Sequence, residues 1–330
     1  MEDAPLKVYC RNCQAKLDVS DLAPYTKFPC PECGTVIRVP ERFGRYLLEK
    51  VCGTGGMAKI YRAVDTKLAR RVAVKVTREK YANGRDFFET SKIINRVEHP
   101  AIIPVYDCGI FNNCPFMVMK YMDGGDLEKR MLSQTLPPVP ELAVHLASVA
   151  AGLEAMAGKG IAHHDVKPAN IMLDSSGEAR LGDFDLADFR VLGDVNTACE
   201  EYASPGYASP ERLYYGGEDQ RGDIFSFGVT VYELLSGKLP FGIHGTTEEL
   251  YLKREMMECA PLSSLVPAVP KDFSDLITAA LSFKMEFRPS CKEIINGLYD
   301  LSETYKNREM NPKWTDKIAN LFRRKKDDEE

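Results

Sequence analysis

Four cysteines stand in two close pairs, Cys10-x-x-Cys13 and Cys30-x-x-Cys33, with sixteen residues between the pairs. Thiolates are soft ligands that suit Zn²⁺, and two pairs on tight turns can bring four sulfurs to the corners of a tetrahedron. This is the spacing of a four-thiolate zinc ribbon. Four sulfurs leave no position open for water, so such a site is structural and not catalytic. About forty residues bury too little apolar surface to fold unaided, and metal binding would supply most of their folding free energy. Pro29, Pro31 and Gly34 fit a turn around the second pair. The plainer alternative is four ordinary free cysteines. A second concentration of chemistry-bearing residues is Ala162-His163-His164-Asp165-Val166-Lys167-Pro168-Ala169-Asn170, followed by Asp183-Phe184-Asp185.

With Gly53, Gly55, Gly56 and Ile60 in the turn Cys52–Tyr61, and Val72-Ala73-Val74-Lys75 at strand spacing after it, these segments carry a family likeness. From about Arg45 to Asp300 the chain resembles bacterial Ser/Thr protein kinases of the eukaryotic-like (Hanks) type. The resemblance implies an α+β, two-lobed protein-kinase fold, with a β-rich N-lobe and a helical C-lobe, preceded by the small zinc ribbon. It also implies ATP and Mg²⁺ as cofactors. In that pattern Lys75 holds the α- and β-phosphates under a Gly-rich turn whose backbone must approach the nucleotide closely. Adenine would meet backbone near Lys120 and Met122, between Ala73 and Met172, and Asp126 would reach the ribose. Asp165 accepts the proton of the substrate hydroxyl and Lys167 neutralises the γ-phosphate. Asn170 and Asp183 occupy the magnesium-ligand positions, each offering a hard oxygen. A Lys two residues after the Asp resembles the Ser/Thr branch of the family. For Met119 and Met172, plain core packing is the competing reading.

The departures from the pattern fall on control elements. Ala58 stands at the third glycine. On the helix expected before His99-Pro100, the position of the Glu that orients Lys75 holds Thr90, with Glu89 about 100° around the helix; either the register slips by one or the ion pair is missing. His164 replaces an Arg that binds a phosphorylated activation loop, and imidazole cannot form a bidentate fork. The corresponding segment, Asn196–Glu201, already carries Glu200 and Glu201, so activity is expected not to depend on phosphorylation there. Asp185 replaces the glycine of the metal loop. It could add a third oxygen near the metals, favour Mn²⁺, restrain the loop or point to solvent. Ser204 takes a substrate-loop position usually held by Thr. The resemblance further pairs Glu211 with Arg288 and makes Asp223 a brace for the catalytic loop from a buried helix.

The elements that must position these groups follow from pattern. Tyr46–Val51, Arg71–Val76 and Pro115–Met122 read as strands. The chain divides into a ribbon at residues 1–40, a kinase-like domain at 45–300 and a polar, amphipathic tail at 301–330. In the tail, Trp314, Ile318, Leu321 and Phe322 share a helical face, ahead of Arg323-Arg324-Lys325-Lys326 and Asp327-Asp328-Glu329-Glu330. A basic amphipathic end could touch a membrane surface; the balancing acidic cluster favours docking on the C-lobe or on a partner.

Composition bounds the rest. The 330 residues are 44% hydrophobic and 28% charged, enough for at least one large core. A net charge of -5 and a ribbon with equal numbers of acids and bases argue against nucleic acid as partner. A protein substrate or signalling partner is expected instead. No run of about 18 or more apolar residues predicts a transmembrane span, no secretory signal opens the chain, and the other six of ten cysteines are scattered. These features predict reduced thiols and a cytoplasmic setting. Two functional readings stay open: an active Ser/Thr kinase with altered regulation, or a pseudokinase acting as a nucleotide-binding or scaffold module.

Overall fold

Alternation of inward apolar and outward polar residues along Tyr46–Thr54, and the β-branched run in Arg70–Thr77, favour strands that share one buried face. The computed structural model describes residues 5–55, 58–77, 96–184, 204–215, 219–242, 246–257 and 259–309. They fall into two units, Met1–Asn95 with Pro104–Met122 and Arg96–Ile103 with Asp123–Glu330. The expectations for Gly56, Glu89, Thr90, Asp185, residues 196–201 and the tail beyond residue 309 lie outside the described residues.

In the first unit two short antiparallel hairpins come first, β1 (Lys7–Tyr9) with β2 (Lys16–Asp18) and β3 (Lys27–Pro29) with β4 (Val36–Arg38). A six-stranded antiparallel sheet follows: β5 (Glu41–Phe43), β6 (Tyr46–Thr54), β7 (Ala58–Asp65), β8 (Arg70–Thr77), β9 (Val105–Phe111) and β10 (Cys114–Lys120), in the order β5-β6-β7-β8-β10-β9. The sheet thus starts at Glu41, ahead of the residue where the kinase resemblance begins. Its core is Phe43, Tyr46, Leu48, Ala63, Val72, Val74 and Val118. Phe43 lies 4.5 Å from Phe111 and edge-on to Phe116, ring centre to ring centre. Burying one such ring contributes roughly 2–3 kcal/mol. Gly109 is required beneath that cluster, because a Cβ there would sit 3.0 Å from the Phe116 ring.

Among the described residues the second unit is helical apart from one small hairpin, β11 (Ile171–Leu173) with β12 (Ala179–Leu181). Its helices are α1 (Leu127–Leu132), α2 (Val139–Ala157), α3 (Pro210–Tyr215), α4 (Gln220–Ser236), α5 (Thr247–Glu255), α6 (Leu262–Leu265), α7 (Lys271–Ala280) and α8 (Cys291–Glu309). Helix α2 packs along α8, and Ser302 donates to the Pro140 carbonyl at 2.9 Å. By length and composition α2 is the one described helix that could cross a membrane. Its Leu142, Leu146, Val149, Leu153 and Met156 are instead buried in the protein. Helix α4 is buried on nearly all sides from Gly222 to Tyr232. Asp219 caps its N-terminus by accepting from the Arg221 N–H, and Gly237, at φ 70°, ends it in the left-handed region.

Candidate active site

The segment Ile161–Asn170 connects α2 to β11, and helix α4 holds it from below. The Asp223 carboxylate accepts the His163 N–H at 2.7 Å and the His164 N–H at 2.8 Å. His164 has φ 66°, an unfavourable conformation for a side chain with a Cβ, so the two bonds keep a strained turn in place. One helical turn further along α4 from Ser226, Thr230 reaches the Val166 carbonyl at 3.3 Å. This is the bracing expected of Asp223.

Within the turn, Asp165 is oriented by two donors. Its Oδ2 accepts from Lys167 Nζ at 2.7 Å and from Asn170 Nδ2 at 2.9 Å. Asn170 also donates to the Asp165 backbone carbonyl at 2.7 Å, and Lys167 Nζ reaches Ser204 Oγ at 2.7 Å. The structure therefore places Lys167 and Asn170 on the Asp165 carboxylate and Ser204 on the Lys167 ammonium.

His163, which the sequence offers only as the first letter of the motif, joins this loop to the segment bearing Asp183. Its Nδ1 accepts the Asp165 N–H at 3.3 Å, which leaves Nε2 to donate to the Gly182 carbonyl at 3.1 Å. The imidazole is fully enclosed, and burial pushes its pKa down to about 4 against the opposing charges of Asp165 and Asp183. A neutral ring with its proton on Nε2 fits both bonds. Phe184 packs on that ring with centres 5.0 Å apart, and Gly182 N–H returns to the Asn170 carbonyl at 2.9 Å. Asp183 follows at φ 62°. A Cβ at Gly182 would approach Ile103 Cδ1 to 2.5 Å, so a side chain there would require the buried Ile103 to shift.

The other residues singled out by sequence are divided between the units. In the first, Gly53 pairs with Ile60 across β6 and β7, and Gly55 N–H donates to the Ala58 carbonyl at 2.9 Å. Lys75 and Ala73 lie buried on β8, opposite Met117 and Met119 of β10. Lys120 ends β10, and Met122 is buried two residues on. In the second unit, Met172 is on β11 and forms an isolated bridge with Asp126. The Asp126 carboxylate caps α1, accepting the Lys129 N–H at 2.8 Å and Lys129 Nζ at 2.7 Å.

Below the substrate-loop position, Glu211 and Arg288 form the anticipated pair. Two nearly parallel bonds of 2.6 and 2.8 Å join them, and Arg288 also donates to the carbonyls of Arg221, Ser282 and Phe283.

The four ribbon cysteines also converge. Each pair forms the same turn: Gln14 N–H to Cys10 carbonyl at 2.9 Å in the first, Gly34 N–H to Cys30 carbonyl at 2.8 Å in the second. Gln14 and Gly34 both take positive φ. All four Sγ atoms lie within 4.8 Å of one another, with Cys10–Cys33 at 3.5 Å and Cys13–Cys30 at 3.6 Å. A tetrahedral Zn²⁺ at about 2.3 Å from each sulfur requires edges of about 3.8 Å, so the donor set fits that ion. The sulfurs share charge unequally: the Thr35 hydroxyl and amide draw the Cys33 thiol down to about 5, while Cys13 is pushed up to about 12 beside the other sulfurs. Cys52, Cys108, Cys114, Cys259 and Cys291 are free thiols, as expected.

Comparison with known proteins agrees with this geometry. Residues 46–299 match the protein kinase domain. The serine/threonine-protein kinase PknL of Mycobacterium tuberculosis is 32% identical over 241 residues, covering 72% of this chain and 60% of that protein. PrkC of Bacillus subtilis is 31% identical, covering 72% and 37%. The kinase pkn2 of Myxococcus xanthus is 33% identical, covering 60% and 25%. The chain spans 60% or less of the length of these relatives. From the two-lobed fold, the braced Asp165 loop and the match over 46–299, the chain belongs to the protein kinase family.

Proposed function

We propose that this protein is an ATP- and Mg²⁺-dependent serine/threonine kinase carrying a structural zinc ribbon. The observation that supports the reading most is the Asp165 carboxylate, oriented by Lys167 and Asn170 on a loop braced by Asp223. A scaffold needs none of this; transfer to a hydroxyl needs all of it. Asp165 is positioned to take the acceptor's proton as its oxygen bonds to phosphorus and the bond from phosphorus to the leaving oxygen breaks. Lys167, 2.7 Å from both Asp165 and Ser204, supplies positive charge beside the acceptor. Asn170 and Asp183 are the proposed holders of Mg²⁺, which when bound neutralises charge on the phosphate oxygens. By the kinase resemblance, Gly53, Gly55, Ile60, Ala73, Lys75, Lys120, Met122, Asp126 and Met172 are the proposed nucleotide contacts. Lys167 two residues after Asp165, and the named relatives, support Ser/Thr over Tyr as acceptor. The proposed partners are accordingly protein substrates, and the proposed ligand of Cys10, Cys13, Cys30 and Cys33 is Zn²⁺.

The test is phosphate transfer from ATP to a protein acceptor with Mg²⁺ and with Mn²⁺, comparing wild type with Asp165→Asn and Asp183→Asn. Asp165-dependent transfer that is lost in Asp165→Asn and Asp183→Asn is the expected result. Nucleotide binding with no Asp165-dependent transfer would sink the enzyme reading in favour of a pseudokinase.

A further inference from the structure

Among the described residues Arg254 is the largest fully buried side chain, and its guanidinium donates to four backbone carbonyls. It projects from the last turn of α5. Its Nε donates to the Ala208 carbonyl at 3.0 Å, and its Nη2 donates to the carbonyls of Pro205 and Gly206 at 2.7 and 3.2 Å. Nη1 donates to Leu250, inside its own helix, at 2.7 Å. The guanidinium carbon lies 5.2 Å from the Phe241 ring centre and 5.7 Å from that of Phe225, which fixes the fork between apolar walls. Burial draws its pKa down to about 10, still high enough to keep the charge at neutral pH.

The carbonyls it collects belong to Ser204–Ala208, the segment whose first residue meets Lys167. Helix α4 completes the set: Ser226 Oγ donates to the Tyr207 carbonyl at 2.9 Å, and Glu233 accepts the Tyr207 hydroxyl at 2.5 Å. Four consecutive carbonyls, from Pro205 to Ala208, are therefore held by side chains and not by a backbone ladder. The Tyr207 and Ala208 N–H groups close a turn onto the Ser204 carbonyl at 2.9 and 3.2 Å, but the outward carbonyls of 205–208 are satisfied by these side-chain donors, which seat that turn against α4 and α5. Ser204 Oγ, 2.7 Å from the Lys167 ammonium that also bonds Asp165, sits at the start of that loop.

We infer that Arg254 is a positioning residue: it sets the shape of the substrate loop 204–208 and, through Ser204, the seat of the acceptor segment beside Lys167 and Asp165. The inference rests on the kinase reading for its consequence in turnover, but its structural half stands without it. An arginine is suited to the task because one planar fork serves several acceptors at fixed angles; lysine offers a point charge that cannot.

Two variants of the full chain test this. Arg254→Met keeps much of the bulk between Phe225 and Phe241 and removes every donor; Arg254→Lys keeps the charge and loses the fork. Hydrogen exchange reads the loop directly. Amides in 204–208 should exchange at least about tenfold faster in Arg254→Met, while those of β11 and β12 keep wild-type rates. With casein as the acceptor, kcat/KM should fall about tenfold or more. The KM for ATP and hydrolysis of ATP by water should stay within about twofold, because neither uses the loop. Arg254→Lys should fall between. If Arg254→Met proves too unstable to study, Arg254→Lys carries both measurements. Unchanged exchange in 204–208, or equal losses toward acceptor and water, would overturn the inference. A wild type that transfers no phosphate would refute the kinase reading, and loop exchange would still decide the role of Arg254.

Discussion

Replacing Asp223 isolates the brace under the catalytic loop. In Asp223→Ala, the His163 and His164 N–H groups lose acceptors at 2.7 and 2.8 Å, in a place where Asp223 is 3% exposed. Each orphaned buried donor costs about 1–3 kcal/mol, so the pair costs about 2–6, with entering water pulling the sum to the lower half. A loss of about 3 kcal/mol lowers the melting temperature by roughly 6–12 °C in a unit of this size. The turn at His164, with φ 66°, also loses what holds it in the left-handed region, and misplacing Asp165 by about 1 Å costs on the order of 10²-fold in turnover. Asp223→Asn retains one acceptor and turns a donor toward the other amide, so it should be milder than alanine in stability yet still defective in transfer. The assay is a thermal melt beside phosphate transfer at saturating ATP. An alanine variant that melts within about 2 °C of wild type and transfers phosphate at the wild-type rate would refute the argument.

Arg288→Met leaves the Glu211 carboxylate buried without its two donors and should cost about 3–5 kcal/mol in urea unfolding, with part recovered by adding Glu211→Met. His163 gives the molecule an acid-sensitive core: its folded pKa of about 4 lies below the ordinary 6.5, so the unfolded chain takes up a proton that the folded one refuses. Stability from this group is complete above pH 6.5 and declines as pH falls toward 4, by at most about 3 kcal/mol; urea midpoints of His163→Asn should show a flatter decline over that window. Cys13→Ser should abolish Zn²⁺ retention measured by elemental analysis and make residues 7–38 protease-sensitive. The main sheet should melt only slightly lower, because the ribbon's side-chain ties to it, the Arg11–Glu49 bridge with Arg11 67% exposed and the Tyr25 hydroxyl to Glu41 at 2.6 Å, contribute about 1 kcal/mol each. Thr197→Ala should change transfer by less than about tenfold, since His164 lacks the fork that would read a phosphate there.

What the sequence made legible are groups whose partners are other side chains at fixed spacing. Glu211 and Arg288, Asp165 with Lys167 and Asn170, and the four cysteines all answer to residue types that must occur together, and all are found together. Strands β6, β8 and β10 were readable because their apolar residues repeat with the period of a sheet. Strand β5 was missed because three residues, Glu41–Phe43, are too few to show a period; it is specified by pairing with β6 and by the ring of Phe43 against Phe111.

Arg254 and His163 were illegible for a different reason, which bears on where control of such a loop can reside. Their partners are backbone carbonyls and amides, and every residue carries those, so no pattern of residue types announces the contact. Nothing in Leu252-Lys253-Arg254-Glu255 separates the buried fork from the lysine beside it; only the fold of Pro205–Ala208 does. Side chains that hold backbone also act on a shape and leave the reacting atoms untouched. A loop held that way can change its fit to an acceptor while Asp165, Lys167, Asn170 and Asp183 stay as they are. The altered positions His164 and Ser204 likewise flank Asp165 and Lys167 and leave both residues in place. On the inference drawn for Arg254, its replacement alters acceptor use with no change at the proposed metal-ligand positions Asn170 and Asp183.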